Sequence, residues 1–88
     1  MMNFKCISDK LAASGFRREA RDRHEEGYTI IDYRHRRSLD MYSVYIDQEL
    51  GSVALVERTD IVFDENTGKY VPVAKEYRNL QDFNKSLA

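Results

Sequence analysis

The sequence predicts an α+β domain: an antiparallel β-meander of four to six strands, flanked by a short N-terminal helix and a short C-terminal helix. Three observations predict it. From Tyr28 to Tyr77 the chain runs in β-branched and aromatic stretches that alternate with polar residues. Both ends carry apolar residues at helical spacing instead. The segment Asp64-Glu65-Asn66-Thr67-Gly68 has the make-up of a hairpin turn, with Asn66 and Gly68 suited to positive φ. Residues 1–88 are expected to form a single domain, because 88 residues leave no room for a second core.

The elements follow in order. Residues 4–14 form a helix with Phe4, Ile7 and Leu11 on one stripe, Asn3 as N-cap, and Gly15 closing the end so that Phe16 can fold back toward Leu11. Residues 17–26 are almost wholly polar; they read as an edge strand with Phe16 and Ala20 inward and Glu25-Glu26-Gly27 as a turn. Tyr28–Tyr33 is a strand, Arg36–Asp40 a polar connection, and Met41–Ile46 the next strand, with Tyr42, Val44 and Ile46 on one inner face. A turn over Asp47–Ser52 leads to Val53–Phe63. There Val53, Leu55, Glu57, Thr59, Ile61 and Phe63 share a side, and the length allows a bend or break near Thr59-Asp60. Lys69–Tyr77 returns as an edge strand, since Pro72 cannot donate to a ladder. Asn79 caps a last helix whose stripe is Leu80, Phe83 and Leu87, with Asp82 in its first turn.

Charge excludes some roles. The chain holds 14 basic and 15 acidic residues, net −1, so no global field draws it to nucleic acid or to a membrane surface. Seven arginines fall between Phe16 and Arg37, but five acids interleave with them. No apolar run approaches the roughly 20 residues of a membrane-spanning helix, and the start lacks the apolar core of a signal peptide. A cytoplasmic protein without a membrane partner is expected. One cysteine, Cys6, can form neither an intrachain disulfide nor a thiolate metal site, and reads as an inert thiol beside the first helix stripe.

Motifs of catalysis are missing. The sequence has no phosphate-binding glycine loop, no nucleophile elbow, no zinc spacing and no EF-hand loop, so no cofactor, metal or catalytic residue is assigned. His24 and His35 could meet if their segments pair, with Asp22, Glu25 or Glu26 nearby, but no cysteine or third histidine completes a metal set.

The distinctive local feature is Arg34-His35-Arg36-Arg37, with Tyr33 before it and Tyr42 after it. Guanidinium forks match carboxylates and phosphates, and tyrosines give large contact area at low entropic cost. The candidate partner-binding residues are Tyr33, Arg34, Arg36, Arg37, Tyr42 and Tyr45, with Asp64 and Glu65 as a second surface. The expected function is that of a non-enzymatic protein-interaction module, an inhibitor, adaptor or accessory factor of the kind phages and mobile elements encode. It would present a Tyr/Arg-bearing sheet face or edge to another protein or protein complex, with a homodimer through a free edge also compatible. A small RNA- or DNA-binding domain using the same arginines is the alternative. A metal-independent ribonuclease using His24 or His35 as acid or base is the further one.

Overall fold

The computed structural model describes residues 2–87. Helix α1 spans Phe4–Ala13 and opens where the Cys6 backbone N–H donates to Asn3 Oδ1 at 3.1 Å. It stops because Gly15 turns the chain at φ +91°, a conformation only glycine adopts without strain. Six strands follow, β1 (Phe16–Arg18), β2 (Arg23–Glu25), β3 (Tyr28–His35), β4 (Met41–Asp47), β5 (Val53–Asp64) and β6 (Lys69–Tyr77), and then helix α2 (Leu80–Ser86). Asn79 caps α2 by accepting from the Asp82 N–H at 2.8 Å. The architecture is the α+β fold expected from the sequence.

All strand pairings are antiparallel, in the order β1-β3-β4-β5-β6, with β2 also beside β3. The polar stretch after Phe16 is therefore one edge, filled by two short strands. Arg18 pairs with Tyr33 and Arg23 with Ile30, so residues 19–22 stand opposite only residues 31–32. The excess puckers outward, Arg18 bridges to Asp22 at 3.1 Å across its base, and Ala20 is exposed instead of facing inward. The opposite edge is β6, where Pro72 interrupts the row of donors.

A second bulge changes which side of β5 is inside. Tyr45 pairs with Leu55 but Ile46 with Val53, so Ala54 is the extra residue. Val53 and Val56 consequently both turn toward the helices, and the uninterrupted alternation expected from Val53 to Phe63 is reset. The strand does not break near Thr59. What ends there is the pairing with β4, at Met41 opposite Thr59.

The core lies between the helices and one sheet face: Ile7 and Leu11 of α1, Phe83 of α2, and Phe16, Ile31, Tyr33, Tyr42, Val44 and Val56 of the strands. Burying each of the larger of these contributes about 1.5–3 kcal/mol. Phe16, Tyr42 and Phe83 stack edge to face, with centroids 4.9 and 5.7 Å apart. Among the described residues no helix is long and apolar enough to cross a membrane.

Candidate interaction surface

Two of the tyrosines assigned to the partner surface are inside, and for Tyr42 this is the inner face that its strand pattern predicts. Tyr33 is 2% exposed and Tyr42 fully buried, so neither offers a surface to a partner. They are cross-strand partners on the helix-covered face, and each phenol secures one helix. Tyr33 donates to Ser8 Oγ of α1 at 3.0 Å, and the Tyr42 hydroxyl lies 2.7 Å from Ser86 Oγ of α2. A buried phenol needs a hydrogen-bond partner, and the helices supply both. Arg58 closes the second contact: its Nη1 donates to the Tyr42 hydroxyl and to the Ser86 carbonyl, each at 2.8 Å, and its Nε to Asp60 at 2.8 Å. This puts a cation at the C-terminal end of α2, where unpaired carbonyls favour one. Burial works against the Arg58 charge, but these bonds outweigh it and raise its pKa.

The arginine run ends β3 with Arg34 and His35 and opens the β3–β4 turn with Arg36 and Arg37, the turn closed by the His35 N–H donating to the Asp40 carbonyl at 3.0 Å. Arg34 pairs with Glu19 at 2.8 Å. Arg36 and Arg37 are exposed and have no carboxylate partner among the described residues. The ring of His35 packs edge-on against Phe16, 4.9 Å between centroids, and so close to Gly15 that a Cβ there would sit 3.1 Å from Nε2. Its Nδ1 accepts from the Arg37 N–H at 3.1 Å. His35 is thereby a structural post for the loop. His24, opposite Thr29, lies at the other end of β3, roughly 20 Å away along the strand. The two imidazoles do not share a site.

On the uncovered face, Arg23 reaches over Ile30 to Asp32, donating to its two carboxylate oxygens at 2.7 and 3.0 Å. Ser43 completes the group with a 2.7 Å bond to Asp32 Oδ1. The stem of Arg23 and the neighbouring Tyr45 leave Ile30 with no exposed surface although no helix covers it. Burial alone would raise the Asp32 pKa, but the bonds from Arg23 and Ser43 overcome it and hold the carboxyl below its ordinary 3.8. Tyr45 is half-buried there, stacked edge-on with Tyr28 at 5.9 Å, and its phenol is pushed up by burial and by Glu57. The Asp32 carboxylate is satisfied within the cluster, while the Arg23 guanidinium also reaches Glu25 at the exposed margin.

The surface that sequence reasoning missed lies beyond the end of β4. Past Thr59, β5 has only β6 beside it, and Asp60–Asp64 with Lys69–Val73 stand clear of the sheet as a two-stranded ribbon. Ile61, Phe63, Tyr70 and Pro72 share one side of it; Val62, Val71 and Val73 share the other. Phe63 is 49% and Tyr70 71% exposed, their rings edge to face at 5.3 Å. Leu39 of the arginine loop, 65% exposed, joins Ser38, Asp40, Ile61 and Tyr70 in a shallow notch at the ribbon's foot. At the ribbon's tip Asp64 is half-buried, its Oδ1 accepting from the Asn66 N–H at 2.9 Å, whereas Glu65 is exposed and unpaired among the described residues. The signal in the sequence was length: a strand from Val53 to Phe63 that turns back beside Met41–Ile46 through Asp47–Ser52 must run on past the start of that shorter neighbour.

No family model, no curated protein and no solved structure matches this chain.

Proposed function

We propose that this chain is a non-enzymatic protein-interaction module, an inhibitor, adaptor or accessory factor, that holds a protein partner with the end of the molecule formed by the ribbon and the arginine loop. One observation carries the reading. Of the exposed large apolar side chains among the described residues, Leu39, Phe63 and Tyr70 lie along one side of this end, Val62 and Val73 on its other side, and only Leu50 lies elsewhere. Contiguous exposed apolar side chains rimmed by charge are the mark of protein-binding surfaces. Arg37, two residues before Leu39 in the same loop, supplies charge at that rim, whereas Arg36 faces the groove of Arg17 and Arg34 at the opposite edge.

The test is affinity capture from cells, comparing the parent with Phe63→Ser plus Tyr70→Ser and with Arg36→Glu plus Arg37→Glu. Each pair is expected to abolish capture of the partner protein and leave the thermal midpoint within a few degrees of the parent, since exposed sites cost little stability. Undiminished capture by both would remove the assignment.

Binding of nucleic acid is supported by a separate feature. Arg17 and Arg34 are direct cross-strand partners, an arrangement of like charges that is unfavourable alone, and with Arg36 they line one shallow groove. Glu19 in the same groove already neutralises Arg34, which weighs for a protein partner. Binding to RNA whose affinity falls steeply with salt, and is lost with Arg17→Ala plus Arg36→Ala, would reverse that preference.

A further inference from the structure

We infer that the ribbon end docks against a second copy of this chain, two ribbons lying antiparallel about a two-fold axis. This rests on the reading that the ribbon end binds protein, and names that protein.

The first support is area. A compact monomer of 10.4 kDa exposes about 5,400 Å². This chain exposes 6212 Å². The excess, roughly 800 Å², is what one partner contributes to a standard stable interface. The chain is also drawn out, 43 Å by 28 Å by 25 Å, with a radius of gyration of 13.5 Å where about 12 Å is usual for its length. A ribbon that projects beyond the sheet adds to both. An isolated two-stranded hairpin is marginally stable in water; this one is anchored in the sheet below Thr59, and a mate would cover the apolar side of its free end.

The second support is self-complementarity. A two-fold contact must match one surface to itself, residue i to j and j to i. The side of the ribbon bearing Ile61, Phe63 and Tyr70 runs from the notch at Leu39 out to the tip. When two such sides pack antiparallel, the tip of each ribbon arrives at the foot of the other, beside its arginine loop. The charges suit that exchange: among the described residues Glu65 at the tip has no ionic partner, and Arg37 in the loop has none either. Glu65 would meet Arg37 twice, once on each side of the axis. Asp64 belongs to the turn and is not needed for this contact. A net charge of only −1 adds little long-range repulsion between copies.

Sedimentation equilibrium on the full chain tests this. The parent is expected to be a dimer with Kd about 1 µM or tighter, as interfaces of this area give. Tyr70→Glu should be monomeric. Arg37→Glu and Glu65→Lys should each weaken self-association by about tenfold or more, because each sets like charges against each other at two places. Mixed in equal amounts, these two variants should form a heterodimer. The carboxylate introduced at position 37 of one then faces the ammonium introduced at position 65 of the other, and the second contact keeps its native pair. Circular dichroism confirms that the exposed substitutions leave the fold intact. A parent that stays monomeric at about 100 µM, far above that Kd, overturns the inference, as does a mixture that associates no better than its components. In either case capture of a different protein that depends on Phe63 and Tyr70 would leave the interaction-module reading standing.

Discussion

The two halves of the β5–β6 hairpin are built from the same kinds of residue and live in different surroundings. In the lower half Val56 lies against the helices with no exposed surface, β4 pairs along one side, and Tyr77 of β6 packs at the core margin. Six residues on, Val62 points the same way and is 46% exposed, with β6 its one neighbouring strand among the described residues. The outer side repeats the contrast. Over β3 and β4 the chain closes its own surface with Arg23, Asp32, Ser43 and Tyr45, whereas over the ribbon Phe63 and Tyr70 are open. Burial is therefore decided by how far each neighbouring strand reaches, not by the side chains alone.

Substitutions at matched positions sharpen this contrast. Val56→Ala should lower the unfolding free energy by about 2 kcal/mol, two buried methyl equivalents and an incompletely collapsed cavity. Urea denaturation measures it, and a loss below half that would mean the lower half is looser than its burial indicates. Asp32→Asn comes next, at about 1–2 kcal/mol near neutral pH, because Arg23 loses a charged acceptor but retains access to water. Its signature is in acid. The folded Asp32 has a pKa below its ordinary 3.8, so its contribution is complete above 3.8 and is lost as pH falls through the folded value. The difference in stability between parent and variant should therefore shrink below pH 3.8, and a difference constant across that range would refute the assigned ion pair. Smallest is Val62→Ala, expected to cost no more than about 0.5 kcal/mol in dilute monomer. A larger loss there would show that the ribbon is braced in solution.

Much of the fold was legible in the sequence because caps, turns and stripes are local. Asn3, Gly15, Gly68 and Asn79 act where their chemistry places them. Leu80, Phe83 and Leu87 pack on the core as their spacing requires. The candidate site was less legible, for two physical reasons. In β3, Ile30, Ile31, Asp32 and Tyr33 are all buried, since the strand is covered by helices on one face and by Arg23 and Tyr45 on the other. Alternation then carries no sign of which way Tyr33 faces, and it lies inside where the loop's charge suggests a surface, whereas Tyr42 takes the inner face that alternation in its own strand gives. The bulges are the second reason. An extra residue such as Ala54 is set by the register of a partner strand, and nothing in its own side chain announces it. Arg36, Arg37 and Glu65 lie exposed as a polar loop and turn should.

Pro72 has a consequence for larger assemblies. A nine-residue margin carrying Val71 and Val73 would ordinarily accept another chain along its backbone, and every chain added that way would offer a fresh margin for the next. The interrupted donor row removes that route to open-ended growth. Association would then be left to side-chain surfaces, which the two-fold pair inferred above would consume in one step, to give a particle of fixed size instead of a fibre.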